Sequence, residues 1–144
     1  MTPTAASVAA RGSCLCGAVR YTVDGPLRGV LQCHCIRCQK TTGNFMAASG
    51  ALAADLHVDG DEPGELRWFS PDDDPNVAYG FCARCGSSLF WRLVEQGMNP
   101  FVSICAGTFD EAPVLTTTAI WFAAHAAPHT RLDPHIEHIA SSAT

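Results

Sequence analysis

The sequence predicts an all-β fold, and three observations carry the prediction. Short runs alternate apolar and polar residues with the period of a strand, no long segment carries the apolar stripe of a helix, and Gly, Pro and Asp clusters separate the runs at irregular spacing. No internal repeat is evident, and 144 residues is the length of one domain with a modest core of its own.

Along the chain, residues 1–11 are small and polar with no apolar stretch, and read as a flexible tail rather than a secretory signal. Val19, Tyr21 and Val23 alternate with Arg20 and Thr22 as a half-buried strand should. Further strands are expected over 30–32, 45–49, 66–69, 89–93, 101–105 and 119–122. The stretch from Pro71 to Asn76 holds three aspartates between two prolines and reads as a solvated acidic turn rather than a cation site. Residues 133–144 are polar and rich in small residues, so a frayed C-terminal tail is expected, with His135 and His138 exposed and without chemical duty. The domain proper is thus placed at 12–132.

Seven of the eight cysteines fall into three clusters: Cys14 and Cys16; Cys33, Cys35 and Cys38; Cys82 and Cys85. C-x-C and C-x-x-C spacings with no signal peptide favour metal over a disulfide framework. Cys14, Cys16, Cys82 and Cys85 make one complete tetrahedral zinc site, closed and therefore structural. Gly17 and Gly86 supply the permissive backbone its turns need, and Ser13, Ser87 and Ser88 are candidate donors to its sulfurs. Because the two pairs lie about 65 residues apart, metal binding there closes a long loop and stabilises the fold.

Cys33, Cys35 and Cys38 make a second site with three sulfurs and a vacancy. His34 reads as a neighbour rather than a ligand, Cys105 as a buried inert thiol, and the C-terminal histidines as remaining alternatives for a fourth ligand. A zinc held by three thiolates is a poor activator of water but suits an incoming thiol, whose acidity rises on ligation. Arg37 and Lys40 flank the cluster and are candidates for neutralising it or for holding the carboxylates of a peptide-like thiol. Thr41, Thr42 and Gly43 follow as a polar turn able to hydrogen-bond the sulfurs.

The formal charge of −5 becomes about −8 once seven thiolates and two Zn²⁺ ions are included. Such a surface repels polyphosphate, which excludes a nucleic-acid binder. No apolar run approaches a membrane span of about 18 residues, and a cytoplasmic location is expected. The oligomeric state is not legible.

Three blocks, GSCLCGAVRY from Gly12 to Tyr21, CHCIRCQKTTG from Cys33 to Gly43 and FCARCGSSLF from Phe81 to Phe90, resemble the signature blocks of the glutathione-dependent formaldehyde-activating enzyme family. GTFD from Gly107 to Asp110 resembles a weaker element of the same family, which also includes centromere protein V-like zinc domains. The resemblance implies a zinc-stabilised β-tent domain with one structural and one catalytic zinc. It assigns Cys14, Cys16, Cys82 and Cys85 to the first and Cys33, Cys35 and Cys38 to the second. The implied activity is that of a carbon–sulfur lyase or synthase of the S-(hydroxymethyl)glutathione synthase type, with glutathione or its aldehyde adduct as the partner. The chain departs from the family near its C-terminus, where Ala119, His125 and Pro128 fill positions usually held by His, Lys and Trp. The competing expectation is a non-catalytic scaffold with two structural zincs, which requires a fourth protein ligand at the middle cluster. A redox sensor, and a sulfoxide reductase using Cys105, are weaker alternatives.

Overall fold

The computed structural model describes residues 10–59, 64–95, 97, 100–111 and 113–140. In chain order its strands are β1 (Ala10–Ser13), β2 (Arg20–Val23), β3 (Arg28–Cys33), β4 (Met46–Leu52), β5 (Leu56–Asp59), β6 (Leu66–Phe69), β7 (Val77–Cys82), β8 (Ser88–Leu93), β9 (Phe101–Cys105), β10 (Thr117–Trp121) and β11 (Glu137–Ile139). A short helix, α1 (Ile36–Thr42), lies between β3 and β4, and 3-10 turns occupy Ala53–Asp55, Ala106–Thr108 and Ala123–His125. The all-β expectation holds.

The strands form two sheets. β1, β2 and β5 make a three-stranded sheet, and the other eight are ordered β11-β10-β3-β4-β9-β8-β7-β6. Both sheets turn apolar faces to one core: Tyr21 and Val23 from the small sheet, with Val19 just before β2, meet Leu89, Phe90, Val102 and Ile104 from the large one. Burial of these side chains is the dominant favourable contribution to folding. Tyr21 is the hinge pin of that contact. Its ring meets Phe90 edge-on at 5.2 Å and Phe109 at 6.1 Å, and its hydroxyl bonds Thr108 Oγ1 at 2.7 Å. β1 crosses directly over the ring at Gly12, where any Cβ would overlap it.

The sequence expectation did not include β1, β5, β7 or β11, nor a parallel pairing. β10 runs parallel to both neighbours, β3 and β11, whereas the other pairings are antiparallel. β7 was not expected because both of its faces are buried, so its residues do not alternate, and Gly80 interrupts it where the rings of Trp68 and Phe90 close over the backbone. Ordered strand also enters both segments read as tails, since β1 begins at Ala10 and β11 pairs Glu137 with Ala119. Short polar strands of this kind are held by backbone hydrogen bonds and leave no hydrophobic pattern to read. Residues 1–9 and 141–144 of those tails lie outside the described residues. His135 and His138 are exposed, and the His138 ring nitrogen lies 2.8 Å from the Asp133 carbonyl.

Candidate metal centres

The first cluster joins the two sheets. Cys14 and Cys16 lie in the turn from β1 to β2, and Cys82 and Cys85 in the turn from β7 to β8. All four thiol sulfurs lie within 4.8 Å of one another. The two turns are built alike: Gly17 N–H donates to the Cys14 carbonyl at 3.1 Å and Gly86 N–H to the Cys82 carbonyl at 2.7 Å, with both glycines at φ 81°. That left-handed conformation is what glycine adopts without a Cβ penalty.

Backbone amides point at the sulfurs, as the amide of Val19 does to Cys14 at 3.2 Å and that of Arg84 to Cys82 at 3.4 Å. Ser87 ties the arms together, its hydroxyl lying 3.1 Å from Cys85 Sγ while accepting from the Leu15 amide at 2.9 Å. The hydroxyl and amide of Ser87 hold the Cys85 thiol down to about 5. Ser13 and Ser88 point elsewhere, to Asp110 and to the Thr41 carbonyl.

The donor set fits zinc. A tetrahedron with Zn–S bonds of about 2.3 Å has edges of about 3.8 Å, and Cys14 to Cys16 and Cys16 to Cys82 measure 3.6 and 3.8 Å between sulfurs. All eight cysteines are free thiols.

The second cluster is assembled from one short stretch of chain. Cys33 ends β3 in the middle of the large sheet, Cys35 caps α1, and Cys38 lies in its first turn. Sequence reading expected only a turn here. A seven-residue helix is too short to show a periodic stripe or to persist alone, and it forms because its ends are fixed. Cys35 Sγ accepts from the Cys38 amide at 3.3 Å, while Gly43, at φ 82°, closes the other end by donating to the Gln39 carbonyl. The Thr42 hydroxyl bonds the Cys38 carbonyl at 2.8 Å rather than a sulfur.

The three sulfurs also lie within 4.8 Å of one another, and among the described residues no fourth His, Cys, Asp or Glu joins them. Hydrogen bonds with Cys33 and then Cys38 hold the Cys35 thiol down to about 2, the bond with Cys35 pushes Cys33 up to about 11, and bonds with Cys33 and then Cys35 push Cys38 higher.

The surroundings sort the candidate ligands. Met46, Ala48, Val77 and Tyr79 pack around Cys38 on the inner side. His34 is buried, its ring tilted at 30° against Phe45 at 4.8 Å and its Nε2 3.4 Å from Gln32 Oε1, and it does not join the three sulfurs. Cys105 packs against the same core, and burial pushes its thiol up to about 12, as an inert thiol requires. Arg37 is engaged by the acidic turn, donating to Asp73 at 2.9 Å and Asp74 at 3.2 Å. Lys40 is exposed and has no protein partner among the described residues. Gln39, which belongs to no ligand motif, pins α1 to the Ala123–His125 turn by donating to the His34 and His125 carbonyls at 2.7 and 2.9 Å.

No curated protein sequence matches the chain. Among solved structures, a Rhodobacter sphaeroides protein is similar in fold, with a TM-score of 0.54 at 24% identity over 69% of this chain and 87% of that one. Residues 9–124, which span both thiol clusters, match the family model described as glutathione-dependent formaldehyde-activating enzyme. With that match over most of its length, the chain belongs to the glutathione-dependent formaldehyde-activating enzyme family.

Proposed function

We propose that the chain is a zinc-dependent carbon–sulfur lyase or synthase acting on a thiol–aldehyde adduct, of the S-(hydroxymethyl)glutathione synthase type. One observation carries the reading: three thiols converge with no fourth protein ligand among the described residues, beside a complete four-thiol cluster in the same fold. A scaffold with two closed sites needs a ligand that neither His34 nor Cys105 provides. The family supplies the reactants, glutathione and formaldehyde. No helix among the described residues is long and apolar enough to cross a membrane, and a cytoplasmic enzyme fits that chemistry.

Cys33, Cys35 and Cys38 would hold the catalytic ion, and Cys14, Cys16, Cys82 and Cys85 the structural one. When bound in the three-thiol site, zinc supplies a soft position at which a thiol loses its proton while its sulfur stays nucleophilic. In the forward reaction the glutathione sulfur forms a bond to the formaldehyde carbon, the carbonyl π bond breaks, and the thiol proton ends on the new hydroxyl. The reverse reaction cleaves the same C–S bond.

The chain's own part is positioning. β3 and α1 fix the three sulfurs, and the Cys38 amide orients Cys35. Gln39 anchors the helix to the Ala123–His125 turn. Met46, Val77 and Tyr79 close the inner side to water. Arg37 serves by holding the acidic turn against α1, and Lys40, exposed and without a protein partner among the described residues, is a cation able to meet a carboxylate.

The test is the rate of S-(hydroxymethyl)glutathione formation from formaldehyde and glutathione with zinc-loaded protein. Acceleration that Cys35→Ser abolishes supports the reading. A rate equal to the uncatalysed one overturns the formaldehyde assignment.

A further inference from the structure

The chain has two tyrosines, and both are buried, Tyr21 at 1% and Tyr79 at 7% exposed. The fold treats their hydroxyls differently. Tyr21 lies in the core between the sheets, with its hydroxyl and Thr108 Oγ1 bonded at 2.7 Å. Tyr79 lies on the other face of the large sheet, packed with Cys38, Met46 and Val77. Its hydroxyl has no hydrogen-bond partner among the described residues. A buried hydroxyl left unpaired is an exception in folded proteins, and one beside a reactive site has a ligand to meet.

All three thiols of the second cluster act on that phenol. Burial first, then the charges of Cys38 and Cys35, push it above its ordinary range, with Cys33 adding to them and Arg37 opposing. Charges act with that strength only over several ångströms, so the hydroxyl end of the side chain faces the sulfurs. The other donors nearby are engaged. Arg37 donates to Asp73 and Asp74, and Gln39 to the His34 and His125 carbonyls. The Thr41 and Thr42 hydroxyls donate to carbonyls of α1, and the Cys38 amide to Cys35 Sγ. Lys40 is exposed and already solvated.

We propose that the Tyr79 hydroxyl is the hydrogen-bond donor that holds the substrate oxygen at the three-thiol site, the oxygen of the aldehyde that becomes the hydroxyl of the adduct. The inference rests on the thiol–aldehyde reading above and adds a catalytic residue to it. As the sulfur–carbon bond forms, the carbonyl π pair moves onto oxygen. Three protein thiolates and a substrate thiolate around one divalent ion sum to about −2, which opposes a further anion unless a donor meets it. A neutral O–H held in place stabilises that charge where it develops. The phenol keeps its own proton throughout, and the proton lost by the thiol completes the new hydroxyl.

The test uses zinc-loaded full-length protein and two small sulfur ligands. Thioacetate carries an oxygen on the carbon next to its sulfur, as the adduct does, and ethanethiol is of similar size without it. Dissociation constants are read by calorimetry, and thiolate charge-transfer bands of the cobalt-substituted protein report sulfur ligation. Tyr79→Phe removes one oxygen atom and should weaken thioacetate about tenfold, the worth of one hydrogen bond to a charged acceptor. Ethanethiol affinity and zinc content should not change. Turnover should fall about a hundredfold in kcat, with the KM for glutathione unchanged. Tyr21→Phe, which removes the Thr108 bond, should lower Tm and keep the wild-type preference for thioacetate over ethanethiol. Unchanged thioacetate binding in Tyr79→Phe, or an equal loss for both ligands, would overturn the role of Tyr79. Neither ligand requires formaldehyde, so this result is separate from the formaldehyde assignment. Failure of the wild type to bind either ligand through sulfur would instead overturn the open-site reading beneath the proposal.

Discussion

The two thiol clusters use the same atoms for opposite ends of the fold's needs. The four-thiol cluster draws its ligands from two sheets, with Cys16 and Cys82 separated by 66 positions in the chain. The three-thiol cluster draws all its ligands from six consecutive residues at the end of β3 and the start of α1. Metal bound at the first therefore closes a long loop and holds the sheets together. At the second it constrains little chain that β3, Gln39 and Gly43 have not already placed. On the proposed reading, the difference teaches where a metal would be spared to react: at the site that ties together the least chain.

The largest expected effect follows from breaking the first cluster. Cys82→Ser should abolish the cooperative thermal transition or precipitate the protein, because it unties the β7–β8 turn from the β1–β2 turn. Cys35→Ser should retain that transition, lose one zinc per chain by elemental analysis, and lose turnover. Equal loss of stability in the two variants would erase the contrast.

A gentler comparison uses two glycines with nearly identical backbones, Gly86 at φ 81° and Gly43 at φ 82°, each with open space where a Cβ would go. Alanine at either costs roughly 1–2 kcal/mol for the left-handed conformation alone, a fall in Tm of several degrees for a domain of this size. Gly86→Ala should also speed loss of the structural zinc to a chelator, whereas Gly43→Ala should fray α1 and raise the rate of zinc loss only at the second cluster.

The smallest effect is expected at Cys105. With burial pushing its thiol up to about 12, nearly all of it is protonated at neutral pH, and the thiolate gains population only as pH rises toward that value. Cys105→Ser should keep wild-type turnover, and alkylation of Cys105 in the folded protein should be slow at pH 7. Loss of turnover in that variant would move the chemistry out of the three-thiol cluster.

Much of this contrast was legible in the sequence, because cysteine spacing shows which thiols can be gathered: the four-plus-three grouping that the fold assembles is visible without a structure. The strands that alternate, such as β2, were legible for the same reason of simple periodicity. What escaped notice is held by backbone and capping bonds instead. β7 is buried on both faces, β1 and β11 are short and polar, and α1 is a single helical stretch set by Cys35 at one end and Gly43 at the other. The neighbourhood of the second cluster was misjudged at Arg37, since the sequence does not say that the acidic turn from Pro71 to Asn76 reaches back to hold its guanidinium. Tyr79 lies in β7, and only the fold brings it against Cys38.

Cadmium-113 NMR of the cadmium-substituted protein tests the inequality of the two sites most directly. Two resonances are expected, one in the range of four-sulfur coordination and one displaced toward fewer sulfurs. Adding glutathione should move the second toward the first and leave the first unchanged, while S-methylglutathione should leave both unchanged in coordination class. Two four-sulfur resonances before any thiol is added, or a second resonance indifferent to glutathione, would contradict an open three-thiol site.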